Sequence, residues 1–391
     1  MLIKGQVMKA IIATMLLSTF CFTTTAYGDP KAGFMTSEVT NFAGTMTITV
    51  WYPTSNKAKG PSEYEFGRLV PAGAIRDAPI KGGTFPLIIA DPGGGGPDTR
   101  FTYSPNAELL AADGYIVVIH GRNTQAVEAQ GALLSDLIDY MLYYHPLRDS
   151  IDARKIGAKG LSFGGIGVSS LAGGDRSGNP PDNRVRGVII DERALVCNFT
   201  FCEPVTIPVL LRDGGLLGDT SDMAPEFAAL ENAFPRFLVT LDAVSHASFI
   251  TGFCALGEAA RLDSLAYQQD VLGVVEPAEP RNLSYFLESL DNGDEAGFGA
   301  SLLWNFDFFT AGDDTFGSAG DSCQSEYGGP APVTPALNAP LLNERTMIET
   351  LHATDLGFWE TVFGNGNSKK TKLEKAVEKL DTVRSFVKVT E

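Results

Sequence analysis

Basic residues are in short supply in this chain: 30 lysines and arginines face 47 aspartates and glutamates, for a formal charge of −17. Such a surface repels phosphate, which argues against nucleic acid and anionic lipid as partners and favours a neutral or apolar substrate. Histidine is scarcer still, at four residues, so any chemistry that needs an imidazole has few positions to draw on. No apolar run after the N-terminus has the roughly 20 residues that a membrane helix requires, which argues against stable membrane insertion. Close Cys-x-x-Cys pairs are missing, which disfavours a zinc site. Asp313, Asp314 and Asp321 do not have the spacing of a twelve-residue calcium loop. The chain has no internal repeat.

What is present is a chain of 391 residues, 44% of them hydrophobic. That is enough for one large domain with an extension, or for two domains, around a sizeable core. Residues 1–28 read as a secretory signal. Lys4 and Lys9 supply the basic start, Ala10 to Phe22 the apolar segment, and Ala26-Tyr27-Gly28 a cleavage site after Gly28. The mature chain is then secreted or periplasmic. Cleavage removes Cys21 and leaves Cys197, Cys202, Cys254 and Cys323, an even number that favours two disulfides in an exported protein. Cys197 and Cys202 are near enough to staple one loop, and Cys254 with Cys323 is the remaining pair.

Strand-like and helix-like segments then alternate. Val39 to Tyr52, Phe85 to Ala90, Tyr115 to His120, Arg154 to Gly160, Val185 to Ile190, Ile207 to Leu211 and Arg236 to Leu241 read as strands, the last of these closing the series. Asn106 to Asp113 and Ala126 to Tyr144 read as helices between them. Residues 54–84 read as a long connection. This alternation predicts a mostly parallel sheet with helices on both faces. After about residue 260 the pattern changes. Residues 261–310 look helical with one acidic break, 311–340 are a Gly- and Pro-rich loop, and 344–363 form an amphipathic helix. Leu373, Val377, Leu380, Val383 and Val387 keep helical spacing through 368–390.

The most informative stretch is Gly160-Leu161-Ser162-Phe163-Gly164-Gly165. A serine hydroxyl is a poor nucleophile unless it is lifted onto a sharp turn and paired with a base, and G-x-S-x-G between a strand and a helix does the lifting. Gly160 and Gly164 let the turn close, and Gly165 lets the helix pack behind it. The base follows the nucleophile in this chain order, so His120 and His145 are excluded. His246, just past the strand Arg236 to Leu241, is favoured over His352, which sits in a helical pattern. The orienting acid falls after the strand ending at Leu211. Asp219, several residues into the loop and before Pro225, is favoured over Asp213 at the strand end and over Asp191. Two amides must hold the oxyanion: that of Phe163, next after the nucleophile, and that of Gly94 in the Asp91-Pro92-Gly93-Gly94 loop. That loop lacks the Lys-Ser/Thr ending of a P-loop and the spacing of a dinucleotide fingerprint.

Val50-Trp51-Tyr52-Pro53, Pro86-Leu87-Ile88-Ile89 running into Pro92-Gly93-Gly94, the elbow, and His246-Ala247-Ser248-Phe249 followed by Cys254 together resemble the dienelactone-hydrolase-like α/β-hydrolases. The resemblance is to their platelet-activating-factor acetylhydrolase and bacterial polyester-hydrolase branch, over roughly residues 36–260. It implies an α/β-hydrolase fold and a serine esterase without a cofactor. It departs where the usual His-Gly of the oxyanion loop is Asp91-Pro92 followed by Gly93. The expected organisation is a signal at 1–28, a catalytic domain at 29–260, and a helical extension or lid at 261–391 packed on the core. The expected activity is hydrolysis of small-molecule or polymeric carboxylic esters by Ser162, His246 and Asp219 through an acyl-enzyme. The alternatives are a lipase or polyester depolymerase working on insoluble substrate, and a non-catalytic binding protein on the same scaffold.

Overall fold

The computed structural model describes residues 32–390 apart from 42–43, 56, 67, 94–99, 102, 122–129, 193–196, 198–199, 216–222, 245–248, 250–343 and 365–369. The expected signal at 1–28 and the segments 261–310 and 311–340 lie outside the described residues.

The chain opens with a hairpin, β1 (Ala32–Asn41) and β2 (Gly44–Pro53). The span Val39 to Tyr52 is thus two antiparallel strands, not one. Short strands follow where a plain connection was expected: β3 (Glu63–Phe66), β4 (Arg68–Pro71) and β5 (Ile75–Arg76). The alternating part then runs β6 (Phe85–Asp91), α1 (Ser104–Ala112), β7 (Ile116–His120), α2 (Gln130–Tyr143), β8 (Ile151–Leu161), α3 (Phe163–Gly173), β9 (Val185–Asp191), β10 (Val209–Gly215), α4 (Ala224–Ala229) and β11 (Arg236–Val244). Last come α5 (Glu344–Phe363), α6 (Lys372–Val377) and β12 (Val383–Val389).

Ten strands form one sheet in the order β12-β11-β10-β9-β8-β6-β7-β2-β1-β5. β6 to β11 are mutually parallel, whereas β2 runs antiparallel to β7 and β12 antiparallel to β11. The central stretches of the parallel strands are mostly apolar because both of their faces are covered. Along β6, Leu87 and Ile89 face the layer of α2 and α3, and Ile88 and Ala90 face the layer of α1 and α5. This order of strands, with an antiparallel neighbour at each end of the parallel set and helices on both faces, is the α/β-hydrolase fold.

The C-terminal region departs from expectation. The helix read over 368–390 is only α6, and the remainder is strand β12 on the edge of the sheet. Leu373, Val377, Leu380, Val383 and Val387 mimic one helical stripe across two different elements, an ambiguity inherent in short apolar runs. β12 pairs antiparallel along Arg236–Leu241, and Phe386 stacks on Phe237 with ring centroids 6.0 Å apart. The strand Arg236 to Leu241 is therefore not the last. The expected helix at 344–363 is present as α5, whose Phe358 and Trp359 are fully buried against the sheet.

Cys197 and Cys202 form a disulfide with Cα atoms 5.4 Å apart. Cys254 and Cys323 lie outside the described residues. No helix among the described residues is long and apolar enough to cross a membrane.

Candidate active site

Ser162 sits between the C-terminal end of β8 and the first turn of α3, with φ 54° and ψ −123°. A positive φ is uncommon for a residue with a Cβ, and such strain persists only where the surroundings impose it. They do so here. The Ser162 amide donates to Asp191 O of the adjacent strand at 3.0 Å, and the Gly165 amide donates to Ser162 O at 2.9 Å. A Cβ on Gly160 would collide with Gly164 O, so the elbow closes only with glycines at these positions. The half-buried Ser162 side chain makes no capping bond to α3. Phe163 is 36% exposed and opens the helix. Its amide belongs to a first turn whose N–H groups point along the axis toward the incoming chain.

The loop after β6 is pressed onto this elbow. Gly93 has φ 66°, and a Cβ there would strike Leu161 O, while one on Gly164 would strike Asp91 O. Asp91 is fully buried and accepts the Gly93 amide at 3.0 Å through Oδ1. The Gly93 N–H is thereby committed to Asp91. Gly94, the expected donor, lies outside the described residues.

His246 and Asp219 also lie outside the described residues, although their flanks are placed. β11 ends at Val244, and β10 ends at Gly215, later than the expected strand end at Leu211. Asp213 is accordingly inside β10 and not just past it. The other histidines are accounted for. His145 is buried, and that burial pushes its imidazole down to about 4. His120 is buried at the end of β7 with Nε2 3.7 Å from Asp91 Oδ1. His352, on α5, has Nε2 2.9 Å from Asp113 Oδ2, beside the chain's entry into β7.

Asp191 is brought close to Ser162, but its carboxylate is taken. Arg212 donates to it from Nε at 2.6 Å and from Nη2 at 2.9 Å. Arg212 Nη1 lies 2.6 Å from Asp355 Oδ1 and donates to Thr354 Oγ1, also at 2.6 Å. Lys159 donates to Asp355 Oδ2 at 2.8 Å, donates to Asn106 Oδ1 at 3.3 Å and lies 3.6 Å from Asp191. All four charged side chains are buried. Burial alone would raise the Asp355 carboxyl, but the Arg212 and Lys159 charges outweigh it and hold it below the usual aspartate value. Desolvation pulls the Arg212 guanidinium the other way, and Asp191 and Asp355 overcome it to hold its pKa above the ordinary arginine value.

This cluster was not anticipated, although two signals for it stand in the sequence. Lys159 interrupts an apolar strand just before the elbow, and Arg212 interrupts Val209-Leu210-Leu211. A charge inside a fully covered strand must find a partner. Among the described residues, no three His, Cys, Asp or Glu side chains converge as a metal-holding set.

No family model matches the chain, and no curated protein matches it. Among solved structures it is similar to a ferulic acid esterase from Streptomyces cinnamoneus, at a TM-score of 0.46 and 18% identity, over 70% of this chain and 90% of that one.

Proposed function

We propose that this chain is an exported serine esterase that hydrolyses carboxylic esters of modest chain length, and needs no cofactor. The observation that carries the reading is Ser162: a strained serine with no cap bond, raised at the end of a parallel strand on the N-terminus of a buried helix. In this reading His246 takes the proton from Ser162 Oγ as the oxygen attacks the ester carbonyl. The amides of Phe163 and Gly94 receive the developing oxyanion. His246 then returns the proton to the departing alcohol. Water deprotonated by His246 attacks the acyl-enzyme, and the acid leaves with Ser162 restored. Position in the chain favours Asp219 as the carboxylate that orients His246. The acidic surface suits a neutral substrate. The Cys197–Cys202 bridge supports export, because such bonds persist in oxidising compartments.

A fluorophosphonate probe tests the proposal. It should label the purified chain at Ser162, and an ester panel should give turnover that peaks at short to medium acyl chains. Ser162→Ala should abolish labelling and lower turnover by about three orders of magnitude or more, with native circular dichroism. Undiminished turnover in that variant would remove the serine mechanism. Preference for insoluble long-chain or polymeric ester would move the substrate class to that of a lipase or depolymerase.

A further inference from the structure

Ser162 hangs on the last rung of a ladder. Leu161 of β8 is in register with Asp191 of β9, and Asp191 with Arg212 of β10, and these are the final pairs of their strands. The residue after Leu161 is the nucleophile. One peptide unit spans the rung, the one between Asp191 and Glu192. Its carbonyl accepts the Ser162 amide at 3.0 Å, and its N–H donates to Arg212 O at 2.9 Å. A peptide unit is planar, so whatever turns its N–H also turns its carbonyl. The angle at which the Ser162 amide is held is therefore set from β10.

Ladder ends fray more readily than their middles, and this end carries a second restraint. The Arg212 guanidinium grips the Asp191 carboxylate through Nε at 2.6 Å and Nη2 at 2.9 Å. Arg212 thus holds Asp191 by its side chain and the following N–H by its own carbonyl. The remaining nitrogen, Nη1, is taken by α5: it donates to Thr354 Oγ1 at 2.6 Å and to Leu351 O at 3.3 Å. The fork is fixed at both ends. Ser162 at φ 54° and Glu192 at φ 47° are joined through this one peptide unit, and such backbone persists only where its surroundings impose it. With Lys159 and Asp355 the buried group holds two charges of each sign. Geometry, not net charge, is its means of acting on the serine.

We infer that the Arg212 fork on Asp191 sets the attack geometry of Ser162. Arg212 and Asp191 are positioning residues: both act through the Ser162 amide, and α5 steadies the fork from behind. The inference rests on the serine-esterase reading and leaves the roles of His246 and Asp219 as given above.

The test is Arg212→Lys in the full chain, with active sites counted by exhaustive fluorophosphonate labelling so that kcat is expressed per competent site. Lysine keeps the buried cation but offers a point charge in place of the fork. The rate of labelling and kcat should fall about 10- to 100-fold, as a displacement of about 1 Å produces, with KM within about twofold. The acidic limb of kcat/KM should stay in place, because no charge has changed. Met46→Ala, in buried β2 three strands from β8, loosens the same sheet without touching the rung and should keep kcat per labelled site. The inference fails if Arg212→Lys keeps kcat per labelled site, if its loss lies in KM, if the acidic limb moves with it, or if Met46→Ala loses as much. Should Arg212→Lys not fold, Thr354→Val decides, since it removes an acceptor of Nη1 and keeps the side chain's shape. A fall in kcat of about threefold or more at steady KM supports the inference, and an unchanged kcat overturns it. If the unmutated chain neither takes the label nor turns over ester, the serine-esterase reading itself falls. If it does both and the Arg212 variant matches it, only the role of the fork falls.

Discussion

The two faces of the central sheet are covered by different chemistry. Toward α2 and α3 the packing is aliphatic, with Leu133, Leu137, Ile138, Ile166 and Val168 over the strands and Tyr52 the one aromatic among its fully buried members. Toward α1 and α5 it is aromatic, with Trp51, Tyr103, Phe237, Phe358 and Trp359, and it encloses the Lys159–Asp191–Arg212–Asp355 quartet. The aliphatic cover is local in the chain, since α2 and α3 flank β8 directly. The aromatic cover recruits α5 from far away, and Lys159 and Asp355 are 196 positions apart. Hydrophobic burial is non-directional, so apolar contact alone leaves a remote helix free to seat in several registers. A buried charge accepts only a matched seat, because a mismatch leaves an ion without compensation. The difference teaches that distance along the chain, more than buried area, decides where this fold places directional contacts.

The sharpest way to break this comparison is Asp355→Ala. It leaves Asp191 alone to balance Arg212 and Lys159, so one buried positive charge goes uncompensated, and it should cost about 3–5 kcal/mol of stability in urea unfolding. A cost below about 1 kcal/mol would mean the quartet does not hold α5. The same carboxylate sets a pH signature. Its folded pKa lies below its unfolded value, so its contribution is fully present above the ordinary aspartate value of about 4 and is lost as pH falls through the lower folded value. Urea midpoints followed downward from neutral pH should therefore fall less steeply in Asp355→Ala than in the unmutated chain. A parallel decline in both would assign the acid lability elsewhere.

The local face should respond more weakly. Its staple, Cys197–Cys202, closes a short loop whose removal by Cys197→Ser with Cys202→Ser should cost about 2 kcal/mol in the chain-entropy account. A loss as large as that of Asp355→Ala would show that the aliphatic layer also depends on a single tie. Smallest of all, Ile138→Val removes one methylene from the buried face of α2 and should cost about 1 kcal/mol, with no change in the pH signature. A steeper acid decline in that variant would mean the two layers are coupled through the sheet.

What could be read in advance follows the same division between near and far. β6, β7 and β9 were legible because each is a short continuous run of apolar, often β-branched residues. The elbow was legible because strand, serine, glycines and helix lie within a few positions. β12 was missed because an edge strand with Arg384, Ser385 and Lys388 carries little apolar signal of its own, and its valines continued the spacing of α6. The quartet was illegible because its members come from β8, β9, β10 and α5, and only the fold makes them neighbours.

Strand β12 and helix α5 also bear on what an incomplete chain would be. The span 29–260 contains the elbow and the parallel strands, yet α5 and β12 supply one cover layer and one edge of the same sheet. A product that stops before residue 344 leaves Asp191 as the one carboxylate of the quartet for Lys159 and Arg212, and it exposes Phe237 and the open side of β11. To a chaperone or protease such a fragment presents sticky surface. Folding of this sheet thus doubles as a check that synthesis has carried the polypeptide through β12.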